Sequence, residues 1–135
     1  MRSRAALIPA IALVTALAAS ATAASRSPFL RSAFVSHGHV VVVYTLSPDL
    51  SPGRVLVAKR AQTTASGEFV RANIRLSEPL GGTRTSTGYR ARTKHTLRPG
   101  SYYVEVSGTV IGLDCTPKKP CPTDWSNIRR IRVGP

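Results

Sequence analysis

Acidic side chains are scarce in this 135-residue chain: 6 Asp and Glu stand against 19 Lys and Arg, with 3 His, 2 Cys and 1 Trp. So few carboxylates and imidazoles leave little from which to assemble a multi-residue catalytic constellation, and the chain is expected not to be an enzyme. No G-x-S-x-G, H-E-x-x-H or phosphate-cradling glycine loop occurs, which removes the common hydrolase, metalloprotease and nucleotide-binding signatures. Neither Asn73 nor Asn127 opens an N-x-S/T acceptor, so glycosylation there is excluded. Arg-Gly-Asp is absent as well. At 42% hydrophobic residues the chain is too apolar for a disordered one, and its length suits one domain.

One long apolar run is present, at the N-terminus. Arg2 and Arg4 precede Ala5 to Leu17, and small residues follow to Ala21-Thr22-Ala23. This order of charged, apolar and A-x-A segments predicts a secretory signal peptide over residues 1–23, a short linker over 24–28 and a single domain over 29–135. The expected location is therefore secreted, outside the cell. Beyond the signal no apolar run is long enough to span a bilayer, so no transmembrane span is expected after its removal.

Cys115 and Cys121 flank Thr-Pro-Lys-Lys-Pro. In an exported protein such a pair is expected to form a disulfide. A loop of about 7 residues closed in this way contributes on the order of 2 kcal/mol, so it pins one loop rather than the whole domain. The alternative, a metal site with His37, His39 or His95, lacks the paired knuckles that structural zinc requires. A redox C-x-x-C is missing too. No metal and no cofactor is expected. His37 and His39 stand at i, i+2 around Gly38, which places them in a loop before the second strand.

The remainder alternates with period two between turn signals, and no stretch carries a convincing helical period. Strands are expected at Leu30 to Val35, Val40 to Leu46, Val55 to Lys59, Glu68 to Leu76, Tyr89 to His95, Tyr102 to Ser107 and Ile128 to Val133, with Thr83 to Gly88 an exposed loop. Tyr89, Ala91, Thr93 and His95 should face inward, His95 as a partly buried structural residue, and Arg90, Arg92 and Lys94 outward. Tyr102, Val104 and Val106 should face the core, with Tyr103, Glu105 and Ser107 facing water. About seven short strands predict an all-β fold, a two-sheet antiparallel immunoglobulin-like sandwich.

The run Leu97-x-Pro99-Gly100-Ser101-Tyr102-Tyr103-Val104-x-Val106, followed by Trp125-Ser126-Asn127 and Ile131-x-Val133, resembles the second half of a fibronectin type III domain over residues 89–133. The resemblance implies that Tyr102 is a structural tyrosine corner. It also implies extracellular binding or spacing without catalysis. Where that family carries a tryptophan on its second strand, this chain has Tyr44.

The formal charge is +13; loss of Arg2 and Arg4 leaves about +11, enough to attract polyanions over roughly 8 Å at physiological salt. Candidate contacts are Arg90, Arg92 and Lys94 on one strand, Lys118 and Lys119 on the disulfide loop, and Arg129, Arg130 and Arg132 near the last strand. The disulfide loop, with its two lysines, is the surface expected to lead. An anionic cell-wall polymer, an acidic polysaccharide or an envelope protein is the partner class. No recognition helix, zinc knuckle or row of stacking aromatics predicts specific nucleic-acid recognition. The rival class is a secreted protease inhibitor or small enzyme using the loop, with a lysine offered to a trypsin-like pocket. Asp114 and Asp124 flank the loop, where they are expected to cap turns or pair with Lys118 and Lys119 at little energetic gain.

Overall fold

The computed structural model describes residues 28–112 and 114–135. The segment expected to be a signal peptide, and almost all of the expected linker, lie outside these residues. Among them, nine strands form two antiparallel sheets that pack face to face as an all-β sandwich.

The chain enters through a hairpin. Strands β1 (Phe29–Ser36) and β2 (His39–Thr45) are joined by His37 and Gly38, both with positive φ, 52° and 81°. A two-residue loop of that handedness matches the right-handed twist of the strands it joins. Glycine takes the second position without strain, whereas His37 is the single non-glycine residue with positive φ among the described residues. The first sheet has the order β1, β2, β6 (Gly88–Thr96), β5 (Thr83–Thr85).

The second sheet runs β4 (Ile74–Pro79), β3 (Leu50–Ala58), β7 (Gly100–Val110). The far edge of β7 is shared by two short partners. β8 (Thr123–Trp125) pairs with Ser107 to Thr109, and β9 (Arg129–Val133) pairs with Gly100 to Val104. Seven strands are the expectation from sequence; the three-residue ladders β5 and β8 bring the described number to nine. Thr83 to Gly88 is accordingly an edge strand with its turn rather than an unpaired loop.

Alternation puts one apolar row from each sheet into the interface. Leu30, Val40, Val42 and Tyr44 from the first sheet meet Val55, Val57, Tyr102, Val104, Val106 and Ile131 from the second. Fully burying a side chain of this kind contributes about 1.5–3 kcal/mol, and Val57 and Val104, cross-strand partners at the centre, expose none of their surface.

The opposite face of the second sheet departs from expectation. Glu105 and Ser107, expected in water, are 0% and 2% exposed, and Tyr103 is half-buried. The connection between β3 and β4 folds back over them and delivers Phe69, itself 1% exposed, into a second cluster with Leu56, Ala58, Ile74, Tyr103, Trp125 and Ile128. The Phe69 N–H donates to Glu105 Oε1 at 2.7 Å, and Val70 N–H donates to the Gln62 carbonyl. The second bond belongs to an isolated antiparallel bridge between Thr63 and Phe69, which engages this segment locally instead of in either sheet. The strand expected from Glu68 therefore begins at Ile74, after a 3-10 turn at Arg71–Asn73.

The two sheets are stitched together at one side. The Asn127 side chain accepts from Leu30 N–H at 2.8 Å and donates to the Leu30 carbonyl at 3.0 Å, standing in for a neighbouring strand. Arg129 Nε adds a bond to the same carbonyl at 3.2 Å.

Candidate functional site

The positive charge is not neutralised within the fold. Among the described residues no Lys or Arg comes within 4.0 Å of a carboxylate, and the ion pair found there joins His95 Nδ1 to Glu78 Oε2 at 3.1 Å. Glu105, another of the six acids, is sealed in the second cluster. The Lys and Arg side chains of the described residues are thus left without a carboxylate partner.

Their most organised display is the flank where β4 of one sheet meets β6 of the other. Arg90, Arg92 and Lys94 alternate along β6 and are all exposed. Because β5 pairs only with Gly88 to Arg90, the rest of that β6 edge lacks a strand neighbour. Glu78, projecting from β4, takes its place: Oε1 accepts Lys94 N–H at 2.7 Å, and Oε2 accepts His95 N–H at 3.0 Å. Burial pushes the Glu78 carboxyl up, but these two N–H groups and the His95 ring outweigh it and hold its pKa below the ordinary value. Beside this anchor lies a groove of about 420 Å³ whose lining includes Arg92, Lys94, His95, Glu78 and Ser77.

His95 differs from its expected inward position: its side chain is 80% exposed. The cause is a register shift opposite Val40, where the Thr93 hydroxyl replaces the ladder partner. It accepts Val40 N–H at 3.0 Å and donates to the His95 carbonyl at 2.9 Å. The strict alternation stops there, and the imidazole turns out to the flank.

The other candidates lie elsewhere. Arg90 sits 5.5 Å from the Phe34 ring centre, over an aromatic that is 41% exposed. Cys115 and Cys121 form the disulfide, with Cα atoms 5.1 Å apart. Inside it Thr116 and Lys119 exchange backbone bonds of 3.0 Å, so Lys118 and Lys119 ride on a tight exposed turn. Neither lysine is within ion-pair distance of Asp114 or Asp124. On β9, Ile131 and Val133 face the core, which turns Arg130 and Arg132 outward on the second sheet. Arg129 has the inward parity and is spent on the Leu30 carbonyl. The eight cations therefore occupy separate surfaces instead of one site.

The histidine pair forms no ligand set. His37 occupies the hairpin turn, whereas His39 Nδ1 is bonded to the Thr93 carbonyl at 2.8 Å. No group of three or more His, Cys, Asp or Glu capable of holding a metal occurs among the described residues. No described helix is long and apolar enough to cross a membrane.

Tyr102 closes the turn between β6 and β7: its hydroxyl donates to the Arg98 carbonyl at 2.7 Å. A larger concavity, about 630 Å³, opens on the outer face of the second sheet beside Trp125, Arg54, Arg71 and Glu68. It mixes both signs of charge, and its carboxylate, Glu68, is not engaged by backbone donors as Glu78 is on the flank. Sequence reasoning missed Glu78 and the outward turn of His95. Their positions depend on an acceptor 16 residues away in sequence, and the Glu78-Pro79 strand end was the only local trace of it.

No family model matches this chain, and no curated protein matches it.

Proposed function

We propose that the chain is a secreted, non-catalytic binding module that holds an anionic polymer of the cell envelope along the β6 flank. The observation that carries this reading is the set of unpaired cations, with Arg92 and Lys94 bordering one groove. Alternate residues on a strand stand about 6.7 Å apart, so Arg90, Arg92 and Lys94 offer regularly repeated charges to an extended chain. Glu78 is turned toward backbone donors and fixes the strand carrying the cations. The fibronectin type III reading is supported by the corner bond of Tyr102 and by its turn, Leu97-Arg98-Pro99-Gly100.

Binding of the oxidised protein to a polyphosphodiester and to a neutral polysaccharide, repeated at rising salt, tests this function. Affinity for the anionic polymer alone should fall steeply with salt, and Arg92→Ala/Lys94→Ala should reduce the logarithmic salt slope by about 1.5 to 2. Salt-independent binding, or equal binding to the neutral polymer, overturns the proposal. A larger loss from Lys118→Ala/Lys119→Ala than from the flank variant moves the site to the disulfide loop.

A further inference from the structure

Beyond Lys94, β6 ends at Thr96 and the chain turns through Leu97, Arg98 and Pro99 into β7. At this pole a second concavity, of about 480 Å³, is bordered by Lys59 from the end of β3, Arg75 from β4 and Arg98 from the turn, with Thr96 and Tyr102. No carboxylate borders it, and none of its cations is within 4.0 Å of one. Sequence gave no sign of this cluster, because its three cations come from three separate segments.

The cluster is held in place. Lys59 Nζ lies 4.5 Å from the centre of the Tyr102 ring, and that ring is fixed by its own bond to the Arg98 carbonyl. The same ammonium uses the space left by Gly100, where a Cβ would stand 2.8 Å from Nζ. Arg75 Nη1 donates to the carbonyls of Ala72 and Ile74 at 3.0 and 3.3 Å. Three like charges gathered around one opening repel one another, and an anion seated among them removes that cost. Guanidinium groups match the oxygens of a tetrahedral oxyanion in pairs, while the ammonium supplies a point charge.

The geometry points to a phosphate site at this pole, formed by Lys59, Arg75 and Arg98, which takes the dianionic phosphate monoester at the end of a polymer whose body lies along β6. Rings of three positive charges suit a dianion better than the single charge of an internal phosphodiester. The end-on placement rests on the β6 reading given above; the phosphate site itself does not.

The test is titration of the oxidised full chain, labelled with 15N, by inorganic phosphate at constant ionic strength. Saturating shifts confined to the amides around Lys59 and from Leu97 to Tyr102 are expected, with a millimolar Kd. Lys59→Gln, Arg75→Gln and Arg98→Gln should each raise that Kd at least fivefold. All three side chains are exposed, and the thermal midpoint of each variant identifies any that is misfolded; the remaining variants then decide. Lys118→Ala/Lys119→Ala, on the disulfide loop, should bind phosphate as the parent does. Shifts that stay linear or spread over the whole surface, or unchanged Kd values in the folded variants, overturn the site. Glucose 6-phosphate as a competitor, with glucose as the control, separates a phosphate monoester from free inorganic phosphate as the group the site takes. Competition supports a terminal ester, and its absence overturns that assignment. Polymer binding failing while phosphate still saturates counts against the β6 reading alone.

Discussion

Two carboxylates withdrawn from water show how differently the same burial can end. Glu78, at the seam between the sheets, is 8% exposed and has both oxygens engaged by three donors. Glu105, in the second cluster, is 0% exposed; Oε1 accepts from Phe69, and Oε2 has no hydrogen-bond partner among the described residues. The first stays an anion, with its pKa depressed. The second is pushed up to about 7, chiefly by burial, with Glu68 adding to the rise and the Phe69 N–H opposing it. Three donors on Glu78 outweigh its burial, while the single donor on the more deeply buried Glu105 does not.

The largest expected effect sharpens this contrast through pH. Glu105 has a reference value of 4.5 and a folded value of about 7, so folding favours its protonated form. That contribution is complete below about pH 4.5, is lost as pH rises through about 7, and amounts to on the order of 3 kcal/mol. Denaturant unfolding of wild type and Glu105→Gln at pH 5 and pH 8 measures it. The variant should gain on the parent at pH 8 and show little difference at pH 5.

Glu78 has the opposite sign. Its stabilising contribution is present above the ordinary carboxylate range and is lost as pH falls through its depressed pKa. Glu78→Ala strands the Lys94 and His95 N–H groups and should cost about 2 kcal/mol at pH 7. The same measurement at pH 7 and in acid should show that deficit shrinking as the parent's carboxylate is protonated. Tyr102→Phe serves as the smallest step, because it deletes one neutral bond to the Arg98 carbonyl near neither carboxylate. A loss of about 1 kcal/mol, independent of pH between 5 and 8, is expected in the same assay.

What could be read from sequence was what repeats locally. The apolar run Val40 to Val43 identifies a strand, and the alternation of Tyr102, Val104 and Val106 identifies a strand with its core face, because period two is a property of neighbouring residues. The Cys115 and Cys121 pairing needs only a short loop and is present. The parity of Glu105 predicts a solvent-facing side chain, because the cluster on that face is completed by Phe69 from a connection without strand pattern. His95 followed an alternation that the Thr93 hydroxyl interrupts. The flank carried by Arg92 and Lys94 was visible as charge on one strand. Its companions Lys59, Arg75 and Arg98 were not, since only the packing of the sheets brings them to one pole.

The stitch between Leu30 and Asn127 has a consequence in time. Its partners are 97 residues apart, and a chain is synthesised from its N-terminus. The hairpin of β1 and β2 needs only local closure, which is fast for a two-residue turn. The outer edge of β1 at Leu30, however, must wait until Asn127 and Arg129 exist, and that distant closure carries the larger entropy cost. Until Asn127 and Arg129 have been added, β1 is therefore open along that edge.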